Sequence, residues 1–377
     1  MKVIASIMVF VLGTVTATAQ ISNVSEKFAL PNNLNESSGA IFFNNKLITH
    51  NDSGGENKLF ELDTISGLVT RTVTISNATN VDWEDITQDN TNIYIGDIGN
   101  NNGNRTDLKI YKINKTDFLN TASIIAETIT LSYAAQTDFT ANPNNTEWDS
   151  EALVSFDETN LLLFSKNWVD GITKAYLIPK AKGTYSISEE ASTLNSGGLI
   201  SGGTFNPLTG KLYLVGYTST LQPFVWVSES FSGNDIFSGT NTQTSLTPIF
   251  GLEQTEAITF VNENRYFITS ESFSQTIGSF TISDYAKLML FSTNDATLFS
   301  QTITTENDIL LYPNPVDTFL YVKTKNVDSI EIYDTKSVQL YKGNNRSVDM
   351  SAFSKGVYLI KVHLKDATYQ FKKLIKK

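Results

Sequence analysis

The chain contains no cysteine and only two histidines, His50 and His363, in 377 residues. Without cysteine there are no disulfides, no thiol catalysis and no thiolate metal site. Two histidines exclude a His-cluster metal site and a two-His acid–base pair. Basic residues are also scarce. The 28 Lys+Arg stand against 39 Asp+Glu, a net charge of −11, which argues against general nucleic-acid binding. No GxSxG elbow occurs, and helical periodicity is nearly absent. After the N-terminus, no uncharged apolar run reaches the ~20 residues a membrane-spanning helix needs. No transmembrane segment is therefore expected in the mature chain. The 40% hydrophobic content is nevertheless enough for a sizeable core.

Residues 1–19 read as a signal peptide. Lys2 supplies a positive start, Val3 to Gly13 form a short apolar run, and Ala17-Thr18-Ala19 is a small-x-small cleavage site. This predicts cleavage between Ala19 and Gln20. Charge then divides the mature chain. Residues 20–307 carry 15 Lys+Arg and 32 Asp+Glu, net −17, whereas 308–377 carry 12 and 7, net +5. Such an asymmetry suggests two units with different jobs. Residues 292–307, polar and rich in Thr and Asn, read as the linker between a main domain at 20–291 and a second at 308–377.

The second domain shows period-two alternation in Phe319-Leu320-Tyr321-Val322, Ile330-Glu331-Ile332-Tyr333 and Gly356 to Val362, the signature of strands. A small antiparallel β-sandwich fits its size. LYPNPVDTFLYV (311–322), IEIYDTKSVQLYKG (330–343), MSAFSKGVYLIKV (350–362) and FKKLIKK (371–377) resemble the C-terminal sorting domain of the type IX (Por) secretion system of Bacteroidetes. The resemblance implies export to the periplasm through the Sec translocon, then passage across the outer membrane by the type IX machinery. It also implies removal of this domain, with the cargo left on the cell surface or released.

The main domain carries an internal repeat: a small or acidic residue, an apolar strand, a turn and a second apolar strand. Its copies begin at Gly39, Glu84, Glu151, Gly203 and Glu256, spaced by 45, 67, 52 and 53 residues. That spacing suits four-stranded propeller blades. Asn44-Asn45, Asp89-Asn90, Asp157-Glu158, Asn206-Pro207 and Asn262-Glu263 mark the tight turns. The fold expected is an all-β, five-bladed β-propeller followed by the sandwich, with a six-bladed alternative if a degenerate blade lies within 107–150 or 215–250. Ser25 to Leu30 is expected to close the last blade against the first. Ile124 to Tyr133 is expected as an outer strand of the second blade, and Gly278 to Ile282 as one of the fifth, with Lys287 to Ser292 as a further candidate there.

In an antiparallel hairpin the start of the first strand lies beside the end of the second. The repeat therefore places candidate ligands on one rim of a central channel. The metal candidates are Glu36, Asp52, Glu84, Asp97, Glu151 and Glu256. The other rim candidates are His50, Asn51, Asp82, Asn100, Arg105, Asp149, Lys166, Asn167 and Glu271. Carboxylates and amides converging on one opening suit Ca²⁺, which takes six to eight oxygen ligands. The competing reading is that an acidic residue at a strand start bonds a neighbouring blade's backbone. The loops Thr49 to Lys58 and Gly96 to Arg105 are rich in Asn, Asp and Gly, and read either as ligand loops or as turns alone. Trp83, Trp148, Trp168 and Trp226 read as fillers between blades or as sugar platforms.

ESSGAIF (36–42) with HNDSG (50–54), DWEDI (82–86) with GDIGNN (96–101), and SEAL (150–153) with TEAI (255–258) are similar to secreted bacterial propellers of the esterase-like, phytase-like and lactonase-like kind. The resemblance implies a rim or channel site, often calcium-dependent. Only Arg105 and Lys166 are basic near the rim, few for holding phosphates. Three readings stand: an extracellular or surface binding module for a glycan, peptide or small molecule with a cation site; a calcium-dependent hydrolase of a phosphoester or lactone; and a structural envelope protein.

Overall fold

The computed structural model describes residues 21–277, 280–297, 309–324, 327–335, 338–365 and 369–377. Residues 1–20, which include the expected signal peptide, and 298–308 lie outside them. The chain is all-β and divides into two compact units, residues 1–298 and 299–377. No helix among the described residues is long and apolar enough to cross a membrane.

The first unit is built from sheets that follow the repeat. The first sheet runs Ser37–Phe43, Lys46–Asn51, Lys58–Asp63, Val69–Ile75, and the second Trp83–Gln88, Asn92–Asp97, Lys109–Asn114, Glu127–Tyr133. The third runs Ser150–Ser155, Asn160–Ser165, Ala175–Pro179, and the fourth Leu199–Asn206, Lys211–Tyr217, Pro223–Glu229, Thr240–Ser245. The fifth runs Thr255–Asn262, Arg265–Ser270, Lys287–Ser292, Ser22–Ala29. Neighbours within these runs are antiparallel. The first strands adjoin in a cycle: first sheet to second, second to third, third to fourth, fourth to fifth, and fifth back to first.

Ser22–Ala29 joins the far side of the last sheet, with Ser25 opposite Leu290 and Ala29 opposite Lys287. The N-terminal segment and the last sheet are thus one element, and the apolar core is shared between neighbouring sheets. Trp83, fully buried, packs with Ile41, Ile48, Ile95 and Tyr111. Close approach of first strands demands glycine at Gly202, where a Cβ would lie 2.1 Å from the Glu256 carbonyl oxygen.

Several expectations are corrected. The Ile124 to Tyr133 run is two strands. Ser123–Ile124 adds to the first sheet in parallel beside Val69–Ile75, while Glu127–Tyr133 belongs to the second. Gly183–Ile187 likewise adds in parallel to the second sheet. Of the two outer-strand candidates of the fifth sheet, Lys287–Ser292 takes the third place. Phe273–Ile277 pairs instead with Phe280–Asp284 as a separate hairpin; Gly278, the expected strand start, lies outside the described residues. Strands within 107–150 and 215–250 belong to the sheets already named. A short helix, Lys115–Asn120, was not anticipated; the Asn114 side chain accepts from Thr116 N at 2.8 Å, capping it. The expected linker begins as packed structure. Thr293 and Asp295 are buried, and the Asp295 carboxylate accepts from Tyr213 and Lys211.

The second unit has a three-stranded sheet (Leu310–Tyr312, Phe319–Lys323, Ser347–Asp349) and a four-stranded one (Gln339–Gly343, Val327–Tyr333, Gly356–Leu364, Tyr369–Lys376). Leu320 and Val322 of the first and Ile330, Ile360 and Val362 of the second are buried in one cluster.

Candidate functional site

Each first strand begins with an irregular register against its partner: between Ser37 and Ala40, Trp83 and Ile86, Ser150 and Ala152, Ile200 and Gly202, and Thr255 and Ala257. A bulge frees residues from ladder pairing and re-aims their side chains. Glu84, Glu151 and Glu256 occupy these positions in the second, third and fifth sheets. Ser38 and Ser201 occupy them in the first and fourth, and their hydroxyls donate to the backbone oxygens of Glu84 and Thr255 in the next sheet.

The result is a cluster of acids at one end of the first strands. Carboxylate oxygens of Asp52, Asp82 and Glu84 all lie within 4.8 Å of one another. Burial raises the Asp82 pKa to about 7, reinforced by Asp52 and Asp149. Glu84 is pushed well above the ordinary range by burial and then by Asp52 and Glu151. Asp52 is raised by burial, against the lowering effect of the Ser53 N–H. Gly99 is the wall of this cluster: a Cβ there would lie 2.0 Å from Glu84 Oε1 and 2.4 Å from Asp82 Oδ2. Its N–H donates to the Asp82 carbonyl at 3.2 Å. Three mutually repelling carboxylates against bare backbone suit a hard cation, whose remaining positions carbonyls and water can fill.

The other acids have partners. Glu151 is ion-paired to Lys166, both nearly buried. Asp149 accepts from Asn100 N at 2.6 Å and Trp168 Nε1 at 2.7 Å. Glu256 and Glu271 face each other; burial and Asp52 raise Glu271 to about 7, and burial and Glu271 raise Glu256 further. Gln254 Nε2 donates to Glu271 at 2.7 Å.

Other rim candidates serve the scaffold. Asp97 is fully buried and paired with Arg105 at 2.8 Å, which also donates to the Gly99 carbonyl, so the Gly96 to Arg105 loop is fastened on itself. Asn100 Nδ2 ties it to the Trp148 carbonyl. Asn167 shapes its own turn through Val169 N and the Ile172 carbonyl, and Asn51 Nδ2 donates to the Asn33 carbonyl. His50 is buried against Trp83, ring centroids 5.5 Å apart; burial lowers its pKa to about 4, so it is neutral. Glu36 is exposed.

The acid that bridges the backbones of two neighbouring sheets is Asp85, absent from the sequence-based candidates. Its Oδ2 accepts from Leu153 N at 2.9 Å and Gly203 N at 3.3 Å, in the third and fourth sheets, and its Oδ1 from Ile86 N. The available signal was its place beside Glu84, in a copy where the other repeats carry Ala or Gly. Next to the acids lies a cavity of about 910 Å³, walled by Trp168, Leu199, Tyr217 and Phe273 with Gln254 and Glu271.

The C-terminal unit has its own assignment. Residues 310–377 match the family described as the secretion system C-terminal sorting domain. The protein therefore carries the address of type IX secretion cargo, a route leading to the cell surface or the extracellular space. No curated protein matches the chain. Solved structures similar to it include a chain of the mitotic checkpoint complex (10% identity, TM-score 0.32), of which 62%, under two thirds, is covered by 69% of this chain. The WD40 domain of Toxoplasma gondii coronin (9%, TM-score 0.34) aligns over 74% of this chain and 88% of its own. The Malassezia sympodialis allergen Mala s 1 (9%, TM-score 0.36) aligns over 72% and 95%.

Proposed function

We propose that this type IX cargo is an extracellular or surface binding module, a five-bladed propeller whose acidic mouth takes Ca²⁺ through Asp52, Asp82 and Glu84. In this reading residues 1–19 are cleaved on export, 20–291 form the propeller with the packed stretch to Asp295 appended, and 308–377 form a sandwich removed after translocation. The neighbouring cavity, with Trp168 and Tyr217 as flat walls and Gln254 and Glu271 as polar groups, takes a glycan, peptide or small polar ligand beside the cation. The observation that carries the reading is the convergence of three carboxylates from two sheets on a glycine that leaves them room.

Binding ranks above phosphoester hydrolysis because both rim cations are committed, Lys166 to Glu151 and Arg105 to Asp97. A phosphate would find no unengaged counter-charge there. The test is thermal melting and titration calorimetry of the mature protein in Ca²⁺ and after calcium stripping. A bound cation at 100 times its dissociation constant stabilises by about 2.7 kcal/mol, a visible upward shift in melting. Asp82→Asn with Glu84→Gln should abolish the shift and the binding heat. No calcium-dependent shift in the wild type would reject the site.

A further inference from the structure

The opposite ends of the first strands surround a second cavity, of about 570 Å³, within the size range of small-molecule sites. All five sheets contribute to it. Phe42 and Phe43 come from the first, Gln88 from the second, Phe156 from the third, Phe205 from the fourth and Phe260 from the fifth. The five phenylalanines are only half-buried, so their rings line the space without filling it. Phe156 and Phe205 meet edge-to-face at 5.3 Å, which fixes that wall.

Two lysines reach this cavity, and they differ. Lys180 is saturated: its ammonium donates to Asp89 at 3.1 Å, Ser155 at 2.8 Å and the Asp157 carbonyl at 2.6 Å. Lys115 instead sits 4.5 Å over the Phe43 ring. Among the described residues it has no carboxylate within ion-pairing distance. The nearby acids are occupied or outside. Asp89 already accepts from Thr91 N, Asn92 N, the Tyr94 hydroxyl and Lys180. Asp157 is taken up by Thr159 and Asn160 of its own turn, and Glu158 is exposed at the tip. Burial lowers the Lys115 pKa to about 8, against the opposing pull of the Asp89 carboxylate; among the described residues no carboxylate is paired with this partly buried ammonium.

We propose that this mouth is a binding site for a small aromatic or acyl carboxylate, its apolar body among the phenylalanines and its anionic head on Lys115. Apolar burial supplies the affinity, and the charge-assisted bond to Lys115 supplies the choice of acid over neutral analogue. The site lies about 20 Å from the acidic mouth, the length of a six-residue strand, and is independent of calcium.

The test is calorimetry of the mature protein with 2-naphthoate and with its neutral analogue 2-naphthalenemethanol, with and without Ca²⁺. The acid should bind at least tenfold more tightly than the alcohol, equally in both buffers. Lys115→Met should bring the acid down to the alcohol's affinity, while Lys115→Arg keeps the preference. Phe156→Ala should weaken both ligands. Absence of naphthoate binding, equal binding of acid and alcohol to the wild type, or undiminished acid binding to Lys115→Met when the variant melts normally would each overturn the proposal. If Lys115→Met fails to fold, loss of the preference in Lys115→Arg overturns it as well.

Discussion

Adjacent acidic residues do different work here because a bulge turns them apart. Asp85 meets three backbone N–H groups and joins three sheets, while Glu84 meets other carboxylates. The cation-free protein should therefore lose stability as pH rises. Asp82 moves from 3.8 to about 7 on folding, and Glu271 from 4.5 to about 7, in both cases chiefly through burial. Both pKa values are raised, so the folded state holds protons that the unfolded chain releases near pH 4. Between pH 4 and 7 unfolding releases protons, and each group lowers stability by about 1.4 kcal/mol for every pH unit climbed. Above pH 7 the full cost is present. Ca²⁺ favours the ionised carboxylates and should flatten the decline, and Asp82→Asn should reduce it. Urea denaturation of calcium-stripped protein at pH 5 and pH 8 checks this; greater stability at pH 8 would show that these acids are not held as described.

Among the elements, Ser22–Ala29 has the largest consequence for its length. It covers the edge of Lys287–Ser292 and places Phe28 and Val24 against the cores of the closing sheet. Deleting residues 21–29 should lower the melting temperature by roughly 5–10 °C, since about 1 kcal/mol moves a domain of this size by 2–4 °C. An unchanged melting curve would refute the closing role. The hairpins were legible in the sequence because their pairing is local. Asn44 and Asn45, for example, take positive φ of 52° and 60°, the conformation that tight hairpin turns require. The outer strands were less legible. Ser123–Ile124 and Gly183–Ile187 attach in parallel to strands far away in sequence, and no alternation pattern says which edge is vacant. Asp295 could not be read as packed, since its partners Lys211 and Tyr213 lie more than 80 positions earlier.

At the scale of the whole molecule, the acidic unit and the basic sorting unit have separate cores, so removing one should leave the other folded. A chain truncated before residue 308 should melt as the main unit does in the full protein but accumulate in the periplasm. Undiminished truncated protein in the medium or on the surface would contradict the address. The sequence by itself determined the all-β class, the two-part charge division and the sorting tail, because alternation, composition and contiguous motifs are properties of the chain in order. It also located acids at the strand starts, but not which of them meet. Only the tertiary structure put Asp52 of one sheet against Asp82 and Glu84 of the next, set the Asp85 carboxylate on the backbones of the third and fourth sheets and buried His50. Those contacts depend on distances of a few ångströms between segments tens of residues apart, and those distances exist only once the first strands have closed their cycle.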